Sequence, residues 1–276
     1  MSELNSIDVS VCIPTYNNIK NLKTVIDSVL IQKDITYEII VSDDSTIPDV
    51  KYLIDEYISN GSTITYFHNN PSLGSPKNWN NVIKKSKGKY IKILHHDDWL
   101  QNEFALYQMV RLIDGSDKRF VFSAADSIQQ GKRIEHIPDL KYNIGYNKNP
   151  LKLLVGNMIG GPSAVLFPRS ANILFDENLI WLVDVDFYLN LYFKGYRSIY
   201  TSDKLYCTFM DENNITNRCI KDKDLNLREL SIVFHKYSKK LSFKNKILMT
   251  IYIHRYLKPH FRISYLNTVL ALLRFQ

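Results

Sequence analysis

The chain has 276 residues, of which 45% are hydrophobic and 23% are charged, and it carries a formal net charge of +7. This composition is typical of a folded globular protein with one large domain, or one domain and an appendage. Its three cysteines, Cys12, Cys207 and Cys219, form no Cys-x-x-Cys pair. They argue against a disulfide framework and a zinc site, and they indicate a reducing compartment.

Neither a secretory signal nor a membrane span is predicted. Residues 1–8 are polar and lack the apolar segment of a signal peptide. No run of about 18 or more apolar residues occurs in the chain. We therefore expect a cytoplasmic protein.

The charge is unevenly distributed along the chain. Residues 218–276 contain 13 Lys or Arg and 3 Asp or Glu, a net charge of +10, which leaves −3 for residues 1–217. The basic excess thus belongs to the C-terminal segment. Such a segment suits nucleic acid or an anionic membrane surface.

The first hundred residues alternate between short apolar runs and amphipathic segments. Apolar runs predict strands, and an apolar period of three to four residues predicts helices. The predicted strands are residues 9–13, 37–41, 62–68 and 90–94, and the predicted helices are residues 22–30, 50–58 and 78–86. Asn17 and Asn18 are suited to cap the first helix. This alternation predicts an α/β fold with a mostly parallel sheet that is covered on both faces.

The second half of the sequence is less regular. We predict strands at residues 120–125 and 164–167, and helices at residues 151–158 and 181–191. Residues 228–273 have a helical pattern with breaks around Ser242 and Pro259. The predicted division is a catalytic domain of residues 1–217 and a basic, helical C-terminal extension of residues 218–276.

Three of the predicted strands end in polar clusters. They are Pro14-Thr15-Tyr16-Asn17, Ser42-Asp43-Asp44-Ser45 and His95-His96-Asp97-Asp98. Ligands of parallel α/β sheets bind beyond the carboxyl ends of the strands, so we expect the clusters to converge on one edge. Adjacent carboxylates repel each other unless a cation compensates them, and Mg²⁺ or Mn²⁺ with phosphate ligands is the usual one. The alternative is a set of solvated acidic turns. Neither a dinucleotide fingerprint nor a P-loop is present.

In this order and spacing, the clusters resemble those of a family 2 glycosyltransferase. The resemblance is carried by residues 9–17, 38–45 and 88–98 and covers roughly residues 8–217. It implies a GT-A fold, a nucleotide-sugar donor, a divalent metal (Mn²⁺ or Mg²⁺) and inversion at the anomeric carbon.

The resemblance assigns the first two clusters to the donor nucleotide. Pro14, Thr15 and Tyr16 match the first nucleotide-contacting strand end, where the aromatic ring packs on the base. Asp44, with Asp43 beside it, matches the carboxylate that accepts a hydrogen bond from the base. An imide N–H suits such an acceptor, so a UDP- or dTDP-sugar is expected. The alternative for both acids is capping of the next helix.

Lys77 and Asn80 fall where the family often places an Arg-Asn pair near the diphosphate. Trp79 occupies the position of the arginine, so Lys77 is the expected phosphate cation. A solvated lysine is the alternative for Lys77.

The metal motif departs from the family's common Asp-x-Asp-Asp. Asp97 aligns with the acid that most directly holds metal and diphosphate, Asp98 is the second candidate ligand, and His96 belongs with the donor contacts. His95 replaces the first acid and is open to three roles: a metal ligand, a contact to the donor ribose, or a histidine at the edge of the core. The last two are favoured because hard cations prefer oxygen ligands.

Two further segments match the family's catalytic pattern. Asp184 matches the general base and Asp186 its neighbour, which would orient the helix or the acceptor; Val183 stands where the family has Glu. The alternative is that both acids complement a helix dipole. Asp211 lies where the family sometimes has a metal-binding His, and it is a candidate third ligand.

Together these residues predict an inverting transfer of one sugar to a glycan or a lipid-linked saccharide, as in the synthesis of bacterial surface polysaccharide (O-antigen or capsule). A metal-dependent nucleotidyltransferase and a basic nucleic-acid-binding protein are the alternatives from other classes. The C-terminal segment either packs on the catalytic domain or holds the enzyme peripherally on the cytoplasmic face of the inner membrane.

Overall fold

A computed structural model describes residues 6–116, 118–210 and 218–274 of the chain. Nine strands in these ranges form one mixed sheet in the order β3-β2-β1-β4-β8-β6-β9-β5, and β7 pairs with β6 outside this order. The strands are β1 (Val9–Thr15), β2 (Tyr37–Asp43), β3 (Ile64–His68), β4 (Tyr90–Ile93), β5 (Asp98–Leu100), β6 (Arg119–Gln129), β7 (Lys132–His136), β8 (Val165–Pro168) and β9 (Arg197–Met210).

Helices cover both faces of the sheet and continue to the end of the described chain. They are α1 (Ile19–Leu30), α2 (Asp49–Ser59), α3 (Lys77–Lys84), α4 (Ala105–Ile113), α5 (Leu140–Lys148), α6 (Val183–Phe193), α7 (Lys223–Ser238), α8 (Phe243–Phe261) and α9 (Tyr265–Arg274). Asn18 caps α1 through its side chain, as predicted. None of the described helices combines the length and the apolar character needed to cross a membrane.

The first four strands of the sheet order are parallel, as the sequence predicts. Thr15 of β1 pairs with Asp43 of β2, and Cys12 pairs with Ile93 of β4. The carboxyl ends of these three strands therefore lie at one edge. This register confirms that the three polar clusters converge.

The two faces of β1 pack against different clusters, which explains why most of its residues are apolar. Val11 and Ile13 belong to the hydrophobic cluster that includes Val25 of α1, whereas Cys12 belongs to the cluster on the other face. Because β1 is buried on both faces, polar residues are few in it. Ser10 and Thr15 are the buried polar exceptions, and the Ser10 hydroxyl donates a hydrogen bond to Glu38 at 2.6 Å.

Several elements of the second half differ from the prediction. The predicted helix at residues 151–158 is a 3₁₀ turn at Pro150–Leu154, and α4, α5, β5, β7 and β9 were not predicted. The helix α8 also runs through Pro259 to Phe261. Pro259 has no N–H to donate to the carbonyl four residues earlier, and the helix ends two residues after it, where Arg262 adopts a left-handed conformation with φ of 49°.

The C-terminal helices share a core with the sheet. Leu230 and Tyr237 of α7 and Ile253 of α8 belong to the same buried cluster as Phe187 and Leu189 of α6. The helices thus pack on the catalytic part. The boundary at residue 217 stays a prediction, because residues 211–217, with the candidate ligand Asp211, lie outside the described residues.

Candidate functional site

A cleft of about 560 Å³ opens beyond the carboxyl end of β4. It brings together three of the predicted site residues, Asp97, Asp98 and Asp184. Its other walls carry aromatic, small and polar residues: Asn18, Asn21, Trp79, His95, Gly161, Pro162, Ser163, Ile180, Trp181, Val183, Tyr206, Thr208, Phe209 and Met210. Two acids from a strand end thus share one cavity with an acid from α6, 86 residues further along the chain.

One group of side chains in the cleft could hold a metal ion. His95, Asp97 and Asp98 each offer a ligand atom, and these atoms lie within 4.8 Å of one another. His95 Nε2 is buried and has no hydrogen-bond partner among the described residues. Two carboxylates suit a hard cation and an imidazole suits Mn²⁺ better than Mg²⁺, so this donor set fits a divalent ion.

Asp98 is the buried member of this group, with 7% of its surface exposed. Burial and the neighbouring Asp97 raise the pKa of Asp98 to about 7, although Ser163, Thr208 and Lys92 oppose the rise. A cation bound in the cleft would lower the pKa of Asp98, because it favours the carboxylate form. The site is therefore arranged to gain from a bound cation.

Lys92 is a site residue that the sequence did not reveal. It lies in β4 and is fully buried, its ammonium donates a hydrogen bond to the Ser163 carbonyl, and its nitrogen lies 5.5 Å from the centre of the Tyr206 ring. Burial lowers the pKa of Lys92 to about 7. A lysine in a short apolar strand is the only signal that could have identified it.

Asp184 stands in the first turn of α6, at the wall of the cleft. Its Oδ1 atom is buried and accepts no hydrogen bond within the described part of the chain. Burial raises the pKa of Asp184 to about 7. An unpaired carboxylate with such a pKa can exchange a proton with a ligand at neutral pH.

Asp186 does not line the cleft, and its side chain is fully buried. It accepts hydrogen bonds from Lys236 Nζ at 2.7 Å and from the Tyr237 hydroxyl at 2.9 Å. Both partners lie on α7, and Lys236 also binds Asp176 at 2.9 Å. These contacts favour the helix-orienting role predicted for Asp186 over contact with the acceptor.

Glu229 of α7 anchors the segment that leads into α6, and it was not predicted as a site residue. Its fully buried carboxylate accepts hydrogen bonds from the backbone N–H groups of Ile180, Trp181 and Leu182 at 2.7 to 2.9 Å. These N–H groups lead into the first turn of α6, whose dipole favours a negative charge there. The position of Asp184 therefore depends on α7.

The polar cluster at the end of β1 (residues 14–17) leaves polar and aromatic groups available to a ligand. The Thr15 hydroxyl is buried and has no partner among the described residues, and the Tyr16 side chain is half exposed. His96 has a hydrogen bond to the Pro14 backbone, which ties the first and third clusters together. Burial nevertheless lowers the pKa of His96.

The carboxylate of Asp44 is engaged by the loop that precedes α3. It accepts hydrogen bonds from Asn69 Nδ2 at 2.8 Å and from the backbone N–H groups of Leu73 and Gly74 at 3.1 and 2.7 Å. It thereby fixes the loop beside the first cluster. A carboxylate has about four acceptor sites, so one more donor can still bind Asp44.

Asp43 is also engaged, and neither acid caps α2, which begins at Asp49. Asp43 accepts hydrogen bonds from the Ser45 backbone N–H and the Tyr66 hydroxyl, both at 2.8 Å. The contact with Tyr66 lies on β3, so the acid cluster spans two strand ends.

The two predicted phosphate contacts, Lys77 and Asn80, differ in exposure and in hydrogen bonding. Lys77 is exposed at the start of α3. Asn80 is buried and bonds to the backbone of Phe175 in both directions, at 2.8 and 2.9 Å, and to Glu177. Asn80 thus holds the segment before α6, while Lys77 is available to a ligand.

The model of the family described as Glycosyl transferase family 2 matches residues 10–174, which is more than half of the chain. The chain belongs to glycosyl transferase family 2. This family 2 enzyme is 28% identical to an uncharacterized glycosyltransferase from Rickettsia typhi, RT0329, over 90% of its own length and 77% of that protein. It is also 28% identical to the uncharacterized protein MT1568 of Mycobacterium tuberculosis, over 66% of its own length and 61% of that protein. The chain thus spans less than two thirds of the latter relative.

Solved structures confirm the GT-A fold predicted for this family 2 enzyme. The structure of TarS residues 1–349 from S. aureus in complex with UDP-GlcNAc superimposes with a TM-score of 0.67 at 20% identity, over 95% of this chain and 74% of that one. The mannosyltransferase PcManGT from Pyrobaculum calidifontis, in complex with GDP-Man and Mn²⁺, gives 0.66 at 14% identity, over 99% and 74%. The family match identifies the chain as a glycosyltransferase, and the nucleotidyltransferase and nucleic-acid alternatives gain no support.

Proposed function

We propose that the enzyme transfers a sugar, with inversion at the anomeric carbon, from a nucleoside diphosphate sugar to a hydroxyl of a saccharide acceptor. The observation that carries this proposal is the buried carboxylate of Asp184, whose Oδ1 has no hydrogen-bond partner in the described ranges and which shares a cleft with Asp97 and Asp98. A base on one wall and a cation site on another suit a displacement in which nucleophile and leaving group lie on opposite sides of one carbon.

In the proposed reaction, Asp184 takes the proton of the acceptor hydroxyl as that oxygen attacks C1 of the sugar. The new C1–O bond forms while the bond from C1 to the diphosphate oxygen breaks. The electron pair of the broken bond leaves with the nucleoside diphosphate, and the proton stays on Asp184. Asp186 and Glu229 hold α6 so that Asp184 meets the acceptor in one orientation.

Asp97 and Asp98 are the proposed ligands of the divalent ion, with His95 as a third donor. A bound Mn²⁺ or Mg²⁺ would compensate the charge that develops on the departing diphosphate. The imidazole favours Mn²⁺ because nitrogen is a softer donor than a carboxylate oxygen. Lys77 is the proposed second cation for the diphosphate.

The proposed donor is a UDP- or dTDP-sugar. Thr15 and Tyr16 offer an unpaired hydroxyl and an exposed aromatic ring at the end of β1. Asp44 keeps an acceptor site for the imide N–H of uracil or thymine after its three contacts with the loop. Guanine and adenine lack this imide in the same place, so their nucleotides should bind more weakly.

The proposed acceptor is a glycan or a lipid-linked saccharide, as in the synthesis of a bacterial surface polysaccharide. Trp181 lies three residues before Asp184 and lines the same cleft, and its indole N–H donates to the Tyr256 hydroxyl at 2.8 Å. An aromatic face fixed beside the base suits the apolar face of a sugar ring.

A thermal-shift titration with UDP, dTDP, GDP and ADP, each with and without Mn²⁺, tests the proposal. We expect UDP or dTDP to raise the melting temperature in the presence of Mn²⁺, since ligands that bind the folded state stabilise it. In the Asp97→Asn variant, the Mn²⁺-dependent part of the shift should disappear. Asp114→Asn, at an exposed ion pair with Lys89, is the matched control and should behave as the wild type. The absence of a shift with every nucleotide would refute the proposal.

Activity should depend on pH through the ionisation of Asp184. The raised pKa means that the base still carries a proton below about pH 7. We therefore expect kcat/KM to fall about tenfold for each pH unit below that value, and to level off above it. Initial rates in overlapping buffers at saturating Mn²⁺ measure this dependence of kcat/KM on pH. A rate that stays constant down to about pH 5 would contradict the assignment of Asp184 as the base.

A further inference from the structure

The last helix of the described chain presents an apolar stripe to solvent. Leu266, Leu270 and Leu273 of α9 are 66%, 55% and 52% exposed. Their spacing of four and three residues places them on one face of the helix. Three exposed leucines in a row are unusual on a surface that has no partner.

This leucine stripe (Leu266, Leu270 and Leu273) lies on the face of α9 that does not pack against the rest of the described chain. The opposite face of α9 is buried through Thr268 and Leu272. The Leu272 carbonyl accepts hydrogen bonds from the Ser231 hydroxyl at 3.1 Å and from His235 Nε2 at 2.8 Å. The helix is thus fixed to α7 with its leucines directed outwards.

The charge around the stripe has a single sign. No Asp or Glu follows Glu229 in the sequence. Exposed cations lie along α8 and in the turn before α9, and in the described part of the chain no carboxylate pairs with them: Lys244, Lys246, Arg255, Lys258 and Arg262. His254 contacts Thr268 of α9 at 3.1 Å, so the C-terminal end of α8, with Arg255 and Lys258, lies beside α9. Lys244 and Lys246 lie in the first turn of α8.

We infer that the leucine stripe and the flanking cations form a docking surface for an anionic lipid bilayer. The leucines would enter the boundary between headgroups and acyl chains while the cations bind the headgroups. A second copy of the chain is disfavoured as the occupant, because two segments of net charge +10 would repel each other. This inference goes beyond the proposed function and does not depend on catalysis.

Vesicle co-sedimentation of the full chain tests the inference. We expect binding to vesicles of phosphatidylcholine with phosphatidylglycerol, little binding to phosphatidylcholine alone, and release by salt. Neutralising one of the five cations should weaken binding about fivefold. The combined variant Leu266→Ser, Leu270→Ser and Leu273→Ser should lose most binding while keeping its far-ultraviolet circular dichroism and its response to nucleotide.

The matched control replaces three exposed apolar residues far from α9, by Ile31→Ser, Tyr52→Ser and Ile58→Ser, at positions that are 53%, 64% and 45% exposed. It should bind vesicles as the wild type does. Failure of the wild type to bind anionic vesicles at low salt, or unchanged binding by the leucine variant, would overturn the inference. So would binding to DNA without binding to vesicles, or a leucine-dependent dimer in light scattering in place of vesicle binding.

Discussion

The Asp184→Asn variant is expected to lose about 10²- to 10⁴-fold in kcat, because the acceptor proton then has no base to receive it. The amide keeps the size of the side chain and cannot take up a proton. The apparent affinity for the nucleotide should stay unchanged, since Asp97 and Asp98 lie on the strand end and not on α6. Steady-state kinetics and a nucleotide titration of the same preparation measure both quantities.

The same variant should be more stable than the wild type above neutral pH. Because burial raises the pKa of Asp184, the folded state retains a proton that the unfolded state has lost, and ionisation costs stability as the pH rises through about 7. The neutral amide avoids this cost. We expect a gain of about 1–2 kcal/mol in the free energy of unfolding at about pH 8, allowing for the partial exposure of the residue.

A suitable control is Asp49→Asn, since Asp49 also lies in the first turn of a helix. It should lose the small favourable interaction with the helix dipole and keep full activity. Equal loss of activity in both variants, or an Asp184→Asn enzyme as active as the wild type, would remove Asp184 from the role of base.

The Glu229→Ala variant is expected to lose both stability and catalysis, although Glu229 is not in the cleft. Three backbone N–H groups would lose their acceptor, and a buried unsatisfied donor costs about 1–3 kcal/mol. We expect the free energy of unfolding to fall by about 3 kcal/mol. Since Asp184 follows these residues directly, kcat should fall at least about tenfold with the KM for the donor unchanged.

The control for Glu229 is Asp222→Ala, which removes the exposed carboxylate that caps α7 through the Leu225 N–H at 2.9 Å. That change should cost about 1 kcal/mol and leave kcat unchanged. Glu229→Gln keeps one acceptor oxygen and should recover part of the loss. Urea unfolding measures the change in stability, and kinetics at urea concentrations below the unfolding transition measure the change in catalysis. A kcat loss no larger than the unfolded fraction of the enzyme would contradict a positioning role for Glu229.

The first half of the fold was predictable because its central strands, β1 and β4, are buried on both faces. Apolar runs such as residues 11–13 and 39–41, joined by helical stripes, leave few alternatives to a parallel sheet. The strand β9 could not be predicted in this way, since buried and exposed residues do not alternate regularly along it. The strand β5 is only three residues long and begins with the acid Asp98, so it has the sequence of a turn.

The site was predictable where the chemistry is concentrated in short motifs. Asp97, Asp98 and Asp184 share one cleft, in keeping with what the resemblance to the family implied. Glu229 was not predictable, because its partners at residues 180–182 are about 50 positions away and its own surroundings in the sequence are basic. Lys92 was missed because an isolated lysine in a strand is normally assigned to the solvent face.

The hydrogen bonds that Glu229 and Asp186 accept set limits on how chains of this family can be recombined. The match to the family model ends at residue 174, before α6, and the proposed base Asp184 lies outside it. A chimera joined at the predicted boundary of residue 217 would combine an α6 from one parent with the α7 of another. Glu229, Lys236 and Tyr237 would then face foreign partners. Helices α6 and α7 should therefore be exchanged together, so that these buried contacts come from one parent.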